Sequence, residues 1–207
     1  MELYKIKREL GRVGFQIFDK LSYPVHRIIQ RSYDQNFPNR TKLHAGQQGS
    51  SQKVAIFFVY QPKGFGKSVA VTCQFLADKG YSIILVSSAP IKMVDFRKVS
   101  KNCWKILERP NYGYDFGGYR DGLRVMQEAH VAPEKLIIMN DSIWFPLNAS
   151  TKLIEQMDSE GGEFNGSVYA DKPGKKKEAS IFNHSFFTCA EKLSKATLLL
   201  HIGKIIK

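Results

Sequence analysis

The sequence has no run close to the roughly 18 consecutive apolar residues that a membrane-spanning helix needs. Its opening, Met-Glu-Leu-Tyr-Lys-Ile-Lys-Arg-Glu-Leu, is charged throughout and lacks the apolar core of a secretory leader. Cysteine is sparse. Cys73, Cys103 and Cys189 are odd in number and widely spaced, which argues against a disulfide framework or a metal site and predicts reduced core thiols in a cytosolic protein. Acidic residues are outnumbered, 19 against 31 Lys and Arg, leaving a formal charge of +12. That excess favours polyanionic partners such as nucleic acid, anionic lipid or phosphorylated small molecules; a merely solvated basic face is the plainer alternative. Zinc-finger spacing, an RNA-recognition signature and a repeated Arg stripe are all missing, so no specific nucleic-acid partner is expected. A complete P-loop is missing too. Gly66-Lys-Ser68 follows an apolar run, but the first glycine of the motif would fall on Gln61.

What remains is a globular composition. The chain has 207 residues, 43% of them hydrophobic, enough for one sizeable core and an appended arm. Leu3, Ile6, Leu10, Val13, Ile17 and Leu21 recur at steps of three and four, predicting an amphipathic helical arm over residues 1–33. Through residue 53 there are ten Lys or Arg and four acids, half of the whole charge excess. Such an arm suits an anionic membrane surface, on the inner face of the cell membrane; a helix packed on the following domain is the alternative. Residues 34–52 are rich in Gln, Asn, Ser and Gly and read as a linker. The main domain is then 53–207.

Within that domain, strands and helices alternate. Lys53–Tyr60 is a continuous apolar and aromatic run, as expected of a central strand buried on both faces. A helix from about Val69 to Asp78 follows, with Gly80 closing it. Tyr81–Ser87 is the second strand, residues 92–101 a short helix, Cys103–Leu107 the third strand and Leu136–Met139 the fourth. This alternation predicts an α/β fold with a mostly parallel sheet flanked by helices.

The richest stretch is Asn111-Tyr-Gly-Tyr-Asp-Phe-Gly-Gly-Tyr-Arg-Asp-Gly-Leu123. Clustered glycines mark tight turns or close backbone approach. A helical pattern starts at Phe116. The next strand ends abruptly in Asn140, Asp141 and Ser142, as a parallel strand does when it delivers a polar group into a cleft. A glycine loop opening a helix, then a carboxylate at the next strand end, points to a nucleotide or sugar-nucleotide site. Asp141, Asp115 and Asp121 have a plainer alternative as cap or turn residues, and Ser87 to Pro90 as a simple turn.

These strings carry a resemblance. Asn111 to Leu123, followed by Asn140-Asp-Ser-x-Trp-x-Pro-Leu147, resembles the rhamnan synthesis F family, glycosyltransferase-like proteins of bacterial cell-wall and O-antigen assembly. Similarity runs from about residue 53 to about residue 190. More distantly, the order of motifs is similar to family 2 glycosyltransferases of the GT-A fold. The resemblance implies a GT-A-like, Rossmann-like domain. It would transfer a deoxysugar, with inversion, from a nucleoside diphosphate donor such as dTDP-L-rhamnose to a glycan or lipid-linked glycan. Gly113, Gly117 and Gly118 would let the backbone approach the donor. Asn111, Asp115 and Arg120 would contact its sugar or diphosphate, with Tyr60, Ser87, Tyr114, Asp121, Asn140 and Ser142 around them. Asp141 would hold Mg²⁺ or Mn²⁺ on the diphosphate. The second acid of the Asp-x-Asp usual in that fold is absent, because Asn140 and Ser142 flank Asp141; Arg120 or Lys67 could supply positive charge instead. A non-catalytic glycan-binding or scaffold subunit is the alternative function.

The C-terminal part reads as a helix over Ser150–Met157, a strand over Glu163–Ala170, a charged turn from Asp171 to Glu178 and a strand over Ile181–Phe187. The family has a His two positions before a Gln here; this chain has Phe182 and His184 in those places. Asp171 and His184 are the candidate bases for the acceptor hydroxyl, His184 having a structural role as its alternative. Members of the family run beyond the equivalent of Lys207, so a short form or a missing portion of the acceptor side is implied.

Overall fold

The computed structural model describes residues 23–148, 150–159 and the strand segments 165–166, 169–170, 181–182 and 186–190. The chain divides into two units, Met1–Thr41 and Lys42–Lys207. In the first, helix α1 covers residues 23–35 and α2 covers Phe37–Arg40. Pro38 lies in the first turn of α2, where its missing N–H removes no helix bond. Tyr33 and Phe37 are buried and meet edge to face, ring centres 6.1 Å apart. Tyr23, Val25, Ile28 and Ile29 of α1 stay exposed. The stripe from Leu3 to Leu21 lies outside the described residues.

The second unit is α/β. Its elements are β1 (Lys42–Ala45), β2 (Lys53–Val59), α3 (Lys67–Asp78), β3 (Ser82–Ser87), α4 (Met93–Val99), a 3₁₀ turn (Ser100–Asn102) and β4 (Lys105–Glu108). There follow α5 (Tyr114–Glu128), β5 (Lys135–Asn140), α6 (Leu153–Ser159), β6 (Asn165–Gly166), β7 (Tyr169–Ala170), β8 (Ile181–Phe182) and β9 (Phe186–Ala190). A seven-stranded sheet runs in the order β1-β4-β3-β2-β5-β9-β6, and β7 pairs with β8 separately. The four central strands, β4, β3, β2 and β5, are mutually parallel. Strands β1, β9 and β6 extend the sheet antiparallel.

Two expectations need correcting. Residues 34–52 are not a featureless linker: they carry α2 and β1, and β1 pairs with β4, setting Leu43 opposite Leu107. The unit boundary falls at Thr41. An edge strand buries little, and β1 is almost wholly exposed, so it leaves no apolar run in the sequence to read. The strands expected over 163–170 and 181–187 are each split, with one part in each sheet.

The apolar run of β2 is buried on both faces, as expected. Ala55, Phe57 and Val59 join α3, with Val69, Cys73 and Leu76, in a hydrophobic core, together with Ile83 and Leu85 of β3. Cys73 and Cys103 are free, buried thiols within it, their Sγ atoms 3.9 Å apart. The hydrogen bond with Cys73, then desolvation, push the Cys103 thiol well above its usual range, so it stays a neutral packing group. Helix α3 closes on Gly80, whose φ of +81° suits glycine; Gly80 N–H donates to Ala77 O and Tyr81 N–H to Leu76 O, a Schellman cap.

The other face of β2 meets α5, through glycines. A Cβ added at Gly118 would lie 2.1 Å from the Phe58 ring, and one at Gly122 would lie 2.6 Å from Ile56 Cγ2. The helix therefore rests directly on the sheet. Restoring a methyl group at 118 must lift it. We expect Gly118→Ala to lose about 1–3 kcal/mol of stability, as overpacking does, read as a lower midpoint in urea unfolding. An unchanged midpoint would show that α5 has room to spare.

Candidate functional site

The parallel strands run in the spatial order third, second, first, fourth, so the order reverses between β2 and β5. In open α/β sheets a ligand crevice forms outside the carboxyl ends of the strands at such a point. Asp141 lies there. Its N–H donates to Phe58 O at 3.0 Å, continuing the β2–β5 ladder by one residue. Its Oδ2 accepts from Gln61 Nε2 at 2.9 Å and from Tyr60 N–H at 3.3 Å. Gln61 also accepts Gly66 N–H on Oε1 at 2.7 Å. The residue that stands where a P-loop has glycine thus uses its amide to brace the β2–α3 loop against Asp141.

Neighbouring Asn140 is buried and donates from Nδ2 to Asp115 Oδ2 at 2.8 Å. Asp115 stands in the first turn of α5, where a carboxylate suits the helix dipole. Two carboxylates from distant parts of the chain therefore share one end of the sheet. Burial pushes the Asp141 carboxyl above the ordinary value of 3.8; the Gln61 and Tyr60 hydrogen bonds counter that, and the Asp115 charge adds to it. Burial, then the charges of Asp115 and Asp141, also push the Tyr119 phenol well up. Tyr119 is buried edge to face on Phe58 and Phe116, so its phenol stays neutral.

The turn before α5 is ordered from inside. Arg109, just after β4, is fully buried and donates from Nε to Asp121 Oδ2 at 2.6 Å, from Nη1 to Ser88 Oγ at 2.8 Å and from Nη2 to Tyr112 O. A guanidinium so placed fixes the loop relative to the helix, and removing one partner of such a pair would strand a charge at a cost of about 3–5 kcal/mol. A Cβ at Gly117 would fall 2.1 Å from Tyr112 O, so that glycine lets the loop carbonyl fold back. Gly113 begins the helix at φ +71°, followed by Tyr114 at φ +48°. Left-handed backbone at a tyrosine costs of order 1–3 kcal/mol, and such strain clusters at functional sites.

Several expected roles change accordingly. Gly117 and Gly118 serve internal packing, facing Tyr112 and Phe58. Asp121 is sealed off with Arg109. Ser87 is fully buried and its hydroxyl donates to Ala89 O at 2.7 Å. Asn140 positions Asp115 and, through Oδ1, accepts Ser142 N–H at 3.3 Å. Arg120 is partly exposed, its Nη2 3.4 Å from Asp121 Oδ1. Asn111, Gly113, Tyr114 and Ser142 are exposed around the cluster, as is half of Tyr60. Asp171 and His184 lie outside the described residues. The sequence reading missed Arg109, Gln61 and Tyr119 as site builders. An arginine before a glycine loop that holds two spare aspartates was the available signal for the first.

A family model for rhamnan synthesis protein F matches residues 83–192, just over half the chain. This stretch contains the Arg109 clamp, the glycine turn, Asp115 and Asp141. The chain belongs to that family. It is also 34% identical, over 168 residues, to the uncharacterized protein y4gN of Sinorhizobium fredii (strain NBRC 101917 / NGR234). The alignment covers 81% of this chain and 44% of the relative, so the chain spans less than half of that protein's length. No solved structure matches it.

The pH behaviour of Asp141 is testable. Folding holds its proton to a higher pH than the unfolded chain does, so ionised Asp141 opposes folding once the pH rises past the ordinary aspartate value. Asp141→Asn retains an oxygen to accept from Gln61 and Tyr60. The variant should melt a few degrees above the parent at neutral pH, and this advantage should vanish below about pH 4. A variant equally or less stable across that range would mean that Asp141 is solvated or already neutralised.

Proposed function

We propose that the second unit is a GT-A-like glycosyltransferase domain acting in rhamnan-type polysaccharide synthesis. It transfers a deoxysugar, L-rhamnose by the family's name, from a nucleoside diphosphate such as dTDP to a glycan or lipid-linked glycan, with inversion. One observation carries this reading: at the strand-order reversal Asn140 holds Asp115, and Asp115 lies near enough for its charge to raise the Asp141 carboxyl. The second acid that the Asp141 neighbourhood lacks in sequence is thus supplied across space.

The residues fit a divalent cation. Two hard oxygen donors serve the same end of the sheet, and the charge of Asp141 is disfavoured chiefly by burial and also by Asp115. Among the described residues no third His, Cys, Asp or Glu completes a cluster, so Asp141 and Asp115 would hold Mg²⁺ or Mn²⁺ jointly with the donor's phosphates. The cation would supply positive charge against the departing diphosphate. Tyr60, Asn111, Tyr114 and Ser142 are exposed around the acids and would contact the sugar and nucleoside. Gln61 and Asn140 would keep the two carboxylates in place as the donor arrives.

Calorimetry tests this directly. dTDP or UDP should bind more tightly with Mn²⁺ than without it, and Asp141→Ala should lose that difference while still melting cooperatively. Release of nucleoside diphosphate from dTDP-rhamnose would establish turnover. Glycan binding with no nucleotide affinity would instead identify a scaffold subunit.

The exposed Tyr23, Val25, Ile28 and Ile29 of α1 support a second part of this reading, that the basic arm rests on anionic membrane at the cytoplasmic face. Replacing Ile28 and Ile29 by Glu should release the protein from anionic vesicles in a sedimentation assay. Retention at the parent's level would leave the arm without a membrane role.

A further inference from the structure

Exposed aromatic rings are not scattered over the second unit. Among the Phe, Tyr and Trp side chains described there, Tyr60, Tyr114 and Trp144 are the exposed ones. Tyr60 follows β2, Trp144 follows β5 and Tyr114 opens α5, so all three stand at the carboxyl end of the parallel strands. Each is close in the chain or by hydrogen bond to an acid of the cluster. Tyr60 N–H donates to Asp141 Oδ2 at 3.3 Å. Tyr114 precedes Asp115, and Trp144 follows Asp141 by three residues. A lone exposed aliphatic side chain needs no explanation, but apolar surface gathered at one place marks a contact.

Trp144 has no role in the account so far. It is 83% exposed although both its neighbours turn inward. Ile143 packs against the hydrophobic core, and Phe145 belongs to it, edge to face with Phe75 at 5.2 Å. The backbone is tied down on either side of the indole. Ser142 N–H donates to Asn140 Oδ1 at 3.3 Å, and Phe145 O accepts from Thr72 Oγ1. A large apolar ring is therefore held out to solvent on an anchored segment, three Cα steps or at most roughly 11 Å of backbone from Asp141. The chemistry of the segment is neutral. Residues 142–151 contain no ionisable side chain in a chain of net charge +12. Exposed Asn148 and Ser150 supply amide and hydroxyl groups, Ser150 Oγ donating to Asn148 Oδ1 at 3.1 Å. Arg97, Lys98 and Lys101 line a groove with residues 146–148, and Trp144 is outside it. An aromatic face beside neutral hydroxyl and amide groups suits a pyranose. The ring's C–H groups meet the negative face of the indole, and its hydroxyls find neutral partners.

We propose that Trp144 is the platform on which a sugar ring of the neutral acceptor glycan stacks. Tyr60 and Tyr114, directly on the acids, stay with the donor. The proposal rests on the transferase reading for the role of that glycan as acceptor, and it adds the residue that selects it.

Calorimetry on the full chain with a tetrasaccharide of L-rhamnose, in the presence of dTDP and Mg²⁺, tests it. Saturable binding is expected. Trp144→Ala should weaken the tetrasaccharide about tenfold, as loss of one stacked ring predicts, and Trp144→Phe, which keeps an aromatic face, only about threefold. Both variants should melt as the parent does, because the side chain is at the surface, and both should bind dTDP with Mg²⁺ at the parent's affinity. Tryptophan emission of the parent should shift to the blue as the tetrasaccharide is added. That shift should be lost in Trp144→Phe, where Trp104 is the remaining tryptophan. Tetrasaccharide binding equal in Trp144→Ala and parent overturns the proposal. So does a parent that binds dTDP but not the tetrasaccharide, which leaves the donor site standing. Loss of dTDP affinity in Trp144→Ala in place of glycan affinity also overturns it, by giving the ring to the nucleoside. Tetrasaccharide binding that depends on Trp144 in a protein with no dTDP affinity upholds the platform and removes the transferase reading.

Discussion

Helix α5 lies so close to the sheet that only hydrogen atoms separate its backbone from Phe58 and Ile56, and this contact governs the rest of the site. A helix seated a methyl group higher would carry Asp115 away from Asn140 and lift Tyr119 off Phe58. Gly118 and Gly122 are four residues apart, one turn along the helix, so both point at the same strand. The Arg109 pair with Asp121 works in the same direction. It anchors the next side of the helix to the end of β4 and closes the turn through Tyr112 O. Helix seating and loop closure are thus one constraint, and the acidic cluster is its product.

Much of the fold was legible because its signals are local. The continuous apolar runs of β2 and β3 can hardly be anything except strands covered on both faces, and Gly80 stops α3 where the sequence places the stop. β1 was not legible. Its pairing depends on an edge that β4 leaves open, and an exposed edge strand has no reason to be apolar. Helix α5 starts at Tyr114, earlier than the apolar spacing from Phe116 shows, because Gly113 and Tyr114 enter it through left-handed backbone, which periodicity does not encode.

The site was legible in part for a related reason. Strand-end chemistry marked Asp141, and the residue follows β5 beside the β2 loop, where Gln61 and Tyr60 hydrogen-bond to it. The glycines were noticed, but the sequence does not say what approaches a glycine. A ligand was expected at Gly117 and Gly118; the neighbour turns out to be the protein itself. The same limit applies to the two aspartates of the Asp115–Asp121 stretch. Six residues apart, they look equivalent in sequence. The helix turns one inward to Arg109 and the other towards Asn140 and Asp141.

Charge on two length scales then narrows what the cluster can accept. The chain as a whole carries +12, a field that draws anions at long range. At short range Asp141 and Asp115 repel one another and would repel a bare phosphate. The diphosphate and divalent cation of the proposed function would meet both conditions, the distant field acting on the net negative charge and the two acids on the cation. A simple cation meets only the second, and a free anion only the first. The hydrogen bonds from Gln61 and Asn140 oppose any turning of the carboxylates away from each other, so the short-range condition is set by the fold itself.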